Sequence, residues 1–205
     1  MMAGMTTVTL SRPHISEGAL AEYENFATLV ASLSEKDWNA PTRCTGFQVR
    51  DVAGHVIGLA EDVAAGVPGT RNAEEEAASV RHETPAGAAA RLRAALVGIA
   101  ALLDAVDDDA WNGPSGVPDL TLGDGVLLLW YDAYVHIDDI NAATARASVR
   151  GPGLDAALAY VATQHAQRGW TSDITCDAFD FLIAATGRTD PAPLGLDPSV
   201  NIYAE

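Results

Sequence analysis

Positive charge is scarce in this chain of 205 residues. Twelve Lys and Arg stand against 28 Asp and Glu, for a net charge of −16. A phosphate backbone is bound by a basic face, so the expectation is no nucleic-acid partner and no affinity for an anionic membrane surface. An anionic substrate would need a local basic pocket to offset the global field. Cysteine is almost missing: Cys44 and Cys176 form neither a disulfide framework nor a CxxC metal pair. Long apolar runs are short in supply too. The longest, within Val126 to Ile140, is broken at Asp132, well below the ~20 residues a membrane span requires. The opening MMAGMTTVTLSRPH lacks a basic stretch leading into an apolar one, so it does not read as a secretory signal. A cytoplasmic, reducing location is expected. There is no internal repeat, no low-complexity tract and no strand-like alternation that competes with helical periodicity.

What is present is helix. After a loose lead-in over residues 1–13, Leu20, Tyr23, Phe26, Ala27, Val30 and Leu33 form one stripe of a helix from about Ser16 to Leu33. Ser34 and Asp37 mark a short turn before Trp38 and the loop NAPTRCTG. Thr45 and Gln48 have capping-box spacing, and a helix from Phe47 to about Ala65 follows. His55 sits in its middle between Gly54 and Gly58, small residues that permit close approach of a neighbouring helix or ligand. Residues 66–82 read as a polar crossing with a short helix over the solvated run Glu74–Glu76. Thr84 and Pro85 open a helix to about Val106. A long loop marked by Gly113, Pro114, Gly116 and Pro118 leads to Thr121 and Asp124, which open the central helix to about Ala147. Helices from Leu154 to Arg168 and from about Asp173 to Thr186 follow, the second stopped by Gly187. The expectation is an all-α single domain over 1–205: four long helices in a bundle from about 14 to 188, shorter helices added, and an extended surface tail over 189–205.

The central helix, VLLLWYDAYVHIDDI, organises the reading. Asp132 and His136 are four apart and project from one face, and Asp139 continues that line by a turn. A carboxylate and an imidazole on an apolar helix need partners if they are buried. Of the five histidines, His14 and His82 lie beside loop signals and His165 at the polar end of a helix, where solvent suffices. Only His55 and His136 lie within long apolar-periodic helices. His55, Asp132 and His136 therefore form a candidate two-His, one-carboxylate set suited to zinc and other divalent first-row ions. Asp139 is the candidate to orient a ligand imidazole or to act as a base. The same residues are also compatible with an ordinary ion pair, a satisfied core histidine and a solvated helix end. Cys44 reads as a small buried hydrophobe, Arg50 and Asp51 as a first-turn surface pair, and Trp38, Trp130 and Tyr131 as core or pocket lining.

Three segments add a resemblance. WNAPTRCTGFQVRDVAGHVIG resembles the entry motif of the mycothiol-dependent maleylpyruvate isomerase family, part of the DinB-like metalloprotein superfamily. The matching positions are Trp38, Thr42, Cys44, Gly46, Phe47, Val49, Arg50, Asp51 and His55. A second segment, an acidic residue with His four later and Asp three beyond, is matched by Asp132, His136 and Asp139. A third, a late helix ending in Gly-Arg, is matched by Gly187 and Arg188. The resemblance implies a DinB-like four-helix bundle. It implies a divalent metal, most often zinc, on His55, Asp132 and His136, and the use of mycothiol, the low-molecular-weight thiol of actinobacteria, in isomerase or thiol-transferase chemistry. The isomerase itself has Glu where this chain has Asp132, and an additional C-terminal domain that contributes to its site, so another reaction on a small electrophilic substrate is expected. Arg188 is a candidate to bind an anionic group of cofactor or substrate, or to position the tail. A metal-dependent hydrolase and a non-catalytic metal-stabilised binding module stay open as alternatives, as does a homodimer.

Overall fold

The computed structural model describes residues 10–115, 117, 120–170 and 174–204. Among the described residues nine α-helices follow in order: α1 (Arg12–Ala31), α2 (Glu35–Trp38), α3 (Val49–Ala64), α4 (Ala73–Ala78), α5 (Pro85–Ala105), α6 (Asp108–Trp111), α7 (Leu122–Ala143), α8 (Pro152–Gln167) and α9 (Ala178–Ala185). Residues 1–9 of the expected lead-in, the loop markers Gly116 and Pro118, and the expected helix start at Asp173 lie outside the described residues.

Most boundaries follow the capping chemistry. Ser34 and Asp37 close a reciprocal capping box on α2, and Thr121 and Asp124 close another on α7. The Thr84 hydroxyl accepts from the Gly87 N–H at the start of α5, with Pro85 in the first turn. Gly187, at φ 70°, ends α9. Three expectations shift. α1 begins a turn early, at Arg12, because Pro13 fits a first turn. The contact that opens α3 is the Gln48 N–H donating to Asp51 Oδ2 at 2.9 Å, not a box of Thr45 with Gln48. Gln48 is extended and bridges Pro41, so the chain cannot turn helical before Val49. α7 stops at Ala143 rather than about Ala147, since Ala145 takes a left-handed φ of 56°.

The helices α1, α3, α5 and α7 close into a ring: α1 packs on α5 and α7, and α3 packs on the same two. This is the all-α, DinB-like four-helix bundle. Its core includes Phe26, Val30, Val52, Ile57, Leu92 and Ile140, all fully buried, and each such side chain contributes ~1.5–3 kcal/mol. α8 flanks α7 and carries α9. Tyr131, Tyr134 and Val135 on that flank join Leu154, Val161, Phe181 and Leu182 in a second cluster. α7 is thus apolar on most sides because it is covered on most sides. The tail is less loose than expected. It folds into two 3-10 turns, Ala192–Leu194 and Pro198–Val200, and buries Leu196, Val200 and Ile202 in the second cluster. His165, expected in solvent, is buried, and its Nε2 lies 2.7 Å from the Val200 carbonyl.

Among the described residues α5, rather than the apolar run of α7, is long and apolar enough to cross a membrane by length and composition alone. Here it buries Leu92 and Ile99, while Arg91 and Arg93 pair with Glu61 and Glu24.

Candidate metal centre

α3 and α7 meet where their polar residues are. The His55 and His136 rings lie 5.2 Å apart between centroids, edge to face at 86°. Asp132 Oδ1 sits between them, 3.6 Å from His55 Nε2 and 3.4 Å from His136 Nε2. One ligand atom from each residue lies within 4.8 Å of the others. Ligand bonds of ~2.0–2.1 Å in a tetrahedral site set neighbouring ligand atoms about 3.3–3.4 Å apart, close to both carboxylate–imidazole separations. The second carboxylate oxygen, Asp132 Oδ2, is buried with no hydrogen-bond partner. An orphaned carboxylate oxygen beside two inward-facing imidazoles is what a cation would satisfy.

Each imidazole is held from behind by a second carboxylate. His55 Nδ1 is 2.6 Å from Glu76 Oε2, and His136 Nδ1 is 2.8 Å from Asp139 Oδ2. With a proton on Nδ1, each ring turns an Nε2 lone pair toward Asp132, the arrangement by which outer carboxylates fix metal-binding tautomers. Glu76 corrects the sequence reading, in which Glu74–Glu76 was a solvated face: its side chain is buried. The reason lies in the two glycines beside His55. A Cβ at Gly58 would stand 2.6 Å from Glu76 Cβ, and one at Gly54 would stand 2.8 Å from the Ala77 backbone. Without those atoms α4 seats directly on α3, which is the close approach that the small residues suggested.

Asp138 and Asp139 are likewise buried rather than a solvated helix end. Asp139 accepts from Arg43 Nε at 2.6 Å, from Arg188 Nε and Nη2 at 2.9 and 2.7 Å, and from Cys44 Sγ at 3.2 Å; Arg43 also bonds Asp138. The loop between α2 and α3 brings Arg43 and Cys44 there. The Thr42 hydroxyl bonds the Phe47 carbonyl at 2.7 Å and takes the Cys44 N–H at 3.1 Å, and Gly46 turns the chain at φ 84°. Arg188, the candidate for an anionic group, has all three guanidinium nitrogens engaged, the third with the Thr186 carbonyl at 3.3 Å. Cys44, His136 and Asp139 form a second group with metal-ligand spacing. Two guanidiniums already sit against Asp139, so the Cys44 group is poorly equipped for a further cation.

The charges are strongly coupled. Burial disfavours protonated His55, yet Asp132 and Glu76 outweigh it and raise the imidazole to about 9. His136 goes well above its ordinary value against the same burial, through Asp132 and then Asp139. Burial would raise Asp132, but the two imidazoles hold it far below the usual carboxylate range. Asp139 is held equally low against burial by His136 and Arg188. Without a metal, protons stand in for the cation. Asp51, expected as a surface partner of Arg50, is buried and pairs with Arg81 at 2.7 Å. On the α8 side of α7, the Tyr131 hydroxyl is 2.7 Å from that of Tyr203 and its ring stacks on Tyr160 at 4.4 Å.

A family model described as the mycothiol maleylpyruvate isomerase N-terminal domain matches residues 19–141, more than half of the chain. The chain belongs to this family. The span matched by the mycothiol maleylpyruvate isomerase N-terminal domain contains the three candidate ligands, Glu76, Asp139 and Arg43, and stops before Arg188 and the tail. No curated protein and no solved structure matches the chain. Membership ties it to mycothiol-related chemistry. Glu76 and Arg43 are the site residues that sequence reasoning misses. The one signal for Glu76 is the glycine pair on α3, and Arg43 carries none beyond its place in the loop.

Proposed function

We propose that His55, Asp132 and His136 hold one divalent ion, with zinc as the fitting choice, and that the chain uses it to bind mycothiol and present its sulfur to a small electrophilic substrate. The observation that supports this most is the convergence of two Nε2 atoms and one carboxylate, each ring backed by its own carboxylate, in a chain of this family. A bound divalent ion supplies the positive charge that keeps a coordinated thiol deprotonated near neutral pH.

The residues of the chain do the rest. Glu76 and Asp139 keep the Nδ1 protons in place and so hold both Nε2 lone pairs toward Asp132. Arg188 and Arg43 neutralise Asp139, which leaves it unavailable as a proton acceptor. Its two oxygens carry Arg43, Arg188, His136 and Cys44, and its carboxyl is held far below the usual range. A general base needs a free lone pair and a pKa near the working pH, so Asp139 does not suit the hydrolase alternative, and thiol transfer or isomerisation is the better reading. The setting that fits such a thiol-using enzyme is a reducing cytoplasm.

The test is elemental analysis of the purified protein beside His55→Ala, followed by calorimetric titration of the metal-loaded protein with mycothiol. We expect one metal ion per chain, lost in His55→Ala, and saturable thiol binding. A wild-type protein free of metal, or a loaded one that binds no thiol and forms no conjugate with electrophiles, overturns the proposal.

A further inference from the structure

α1 packs along α7, the helix that carries Asp132 and His136. The Glu22 carboxylate accepts a hydrogen bond from Trp130 Nε1 at 3.2 Å, two residues before Asp132. The next residue, Tyr23, turns into the bundle and packs in the same core cluster as Val56 of α3 and Ala133 of α7, the neighbours of His55 and Asp132. It is 1% exposed. The residues that share its inward face, Phe26, Ala27 and Val30, are pure hydrocarbon. Tyr23 alone among them carries a hydroxyl, and that hydroxyl is buried with no hydrogen-bond partner. Burial, and then the charges of Asp132 and Glu76, hold the phenol well above its ordinary pKa. It is therefore a neutral O–H donor lying within the field of the site. A buried donor without an acceptor is unfavourable, and Phe would fill the same space without that penalty. Asp132, whose charge acts on the phenol, also carries a buried oxygen without a partner, Oδ2. One buried donor and one buried acceptor thus stand unpaired, the acceptor suited to a cation and the donor to a ligand atom.

We propose that Tyr23 donates its hydroxyl proton as a hydrogen bond to the thiol sulfur bound beside His55, Asp132 and His136, and so positions that sulfur. The inference rests on the metal reading above. It makes α1 a functional wall of the site, although nothing in the periodicity of α1 separates Tyr23 from its apolar neighbours.

The experiment compares wild type with Tyr23→Phe, both loaded with cobalt(II) and titrated with mycothiol. The sulfur-to-cobalt charge-transfer band is the readout, and metal-free melting temperature is the control. Tyr23→Phe should take up the same amount of cobalt and melt, without metal, no lower than wild type, because it removes only an unpartnered hydroxyl. Its thiol affinity should fall about tenfold, the scale of one lost hydrogen bond to a charged acceptor, and its charge-transfer band should shift. A variant that binds mycothiol within twofold of wild type, with an unshifted band, overturns the role of Tyr23 and leaves the metal reading standing. If neither protein takes up cobalt, the metal reading itself fails and this inference falls with it.

Discussion

Gly58→Ala tests how the candidate site is built, using one methyl group that touches no ligand. The added Cβ would stand 2.6 Å from Glu76 Cβ and 2.9 Å from Glu76 Cα. An ordinary contact begins at 3.4 Å, so α4 must retreat by about 0.8 Å to reach it. Transferred to the carboxylate, that displacement carries the 2.6 Å bond between Glu76 and His55 Nδ1 to about 3.4 Å, beyond the ~3.2 Å limit of a good N–H···O bond. His55 then loses the group that fixes its tautomer and ring plane, and metal affinity should drop about 10- to 100-fold, the scale found when such outer partners are removed. Stability alone would mislead, because alanine favours a helix interior by ~1 kcal/mol over glycine, which offsets part of the clash. The assay is therefore competitive zinc titration against a chromophoric chelator. Gly125→Ala is the control: its Cβ would meet Ser115 at an ordinary 3.5 Å. If Gly58→Ala binds zinc within twofold of both wild type and the control while remaining folded, the seating of α4 does not position Glu76, and the reasoning is refuted.

The other expectations concern charge. Replacing Arg188 by Met leaves the buried Asp139 with one guanidinium instead of two; denaturant melts should show a loss of about 3 kcal/mol, and an unchanged midpoint would mean that Arg43 suffices. In the metal-free protein, His55 is raised from 6.5 to about 9. Its stabilisation is therefore complete below about pH 6.5 and lost as pH rises through about 9, while that of Asp132 and Asp139, held low, is lost as pH falls below about 4. Denaturation of the metal-free protein at pH about 6.5 and about 9.5 should show the drop at the higher pH, and equal stability at both would contradict the coupling. Metal must displace the protons on the imidazoles, so zinc affinity should weaken as pH falls; a flat profile between pH about 6 and about 8 would count against His55 and His136 as ligands. Chelation of a stoichiometric metal should lower the melting temperature, by the equivalent of ~2.7 kcal/mol where free metal stood at 100 times its dissociation constant.

Much of this was legible in residues that act locally. Ser34 with Asp37, Thr84 with Pro85, Thr121 with Asp124, and Gly187 each satisfy or end a helix through atoms a few residues away, so their meaning travels with the sequence. Asp132 and His136 share a face because a helix repeats every 3.6 residues, and His55 stood out as the one other histidine inside an apolar-periodic helix. The misreadings were of a different kind. Glu76 looked like one of three solvated acids, Asp138 like a helix end, His165 like a surface residue and Asp51 like a surface partner. All four are buried, and each acquires its partner from a distant segment: His55, Arg43, the Val200 carbonyl, and Arg81.

The sequence by itself determined the helical class, the order of the long helices and the two imidazoles and carboxylate that their spacing singles out, because periodicity and capping are short-range effects. The tertiary structure alone decided which acids are interior, that Glu76 backs the His55 ring, and that the Tyr23 hydroxyl is buried without a partner. Burying a charge depends on a counter-charge brought from elsewhere in the fold, and chain spacing carries no record of that.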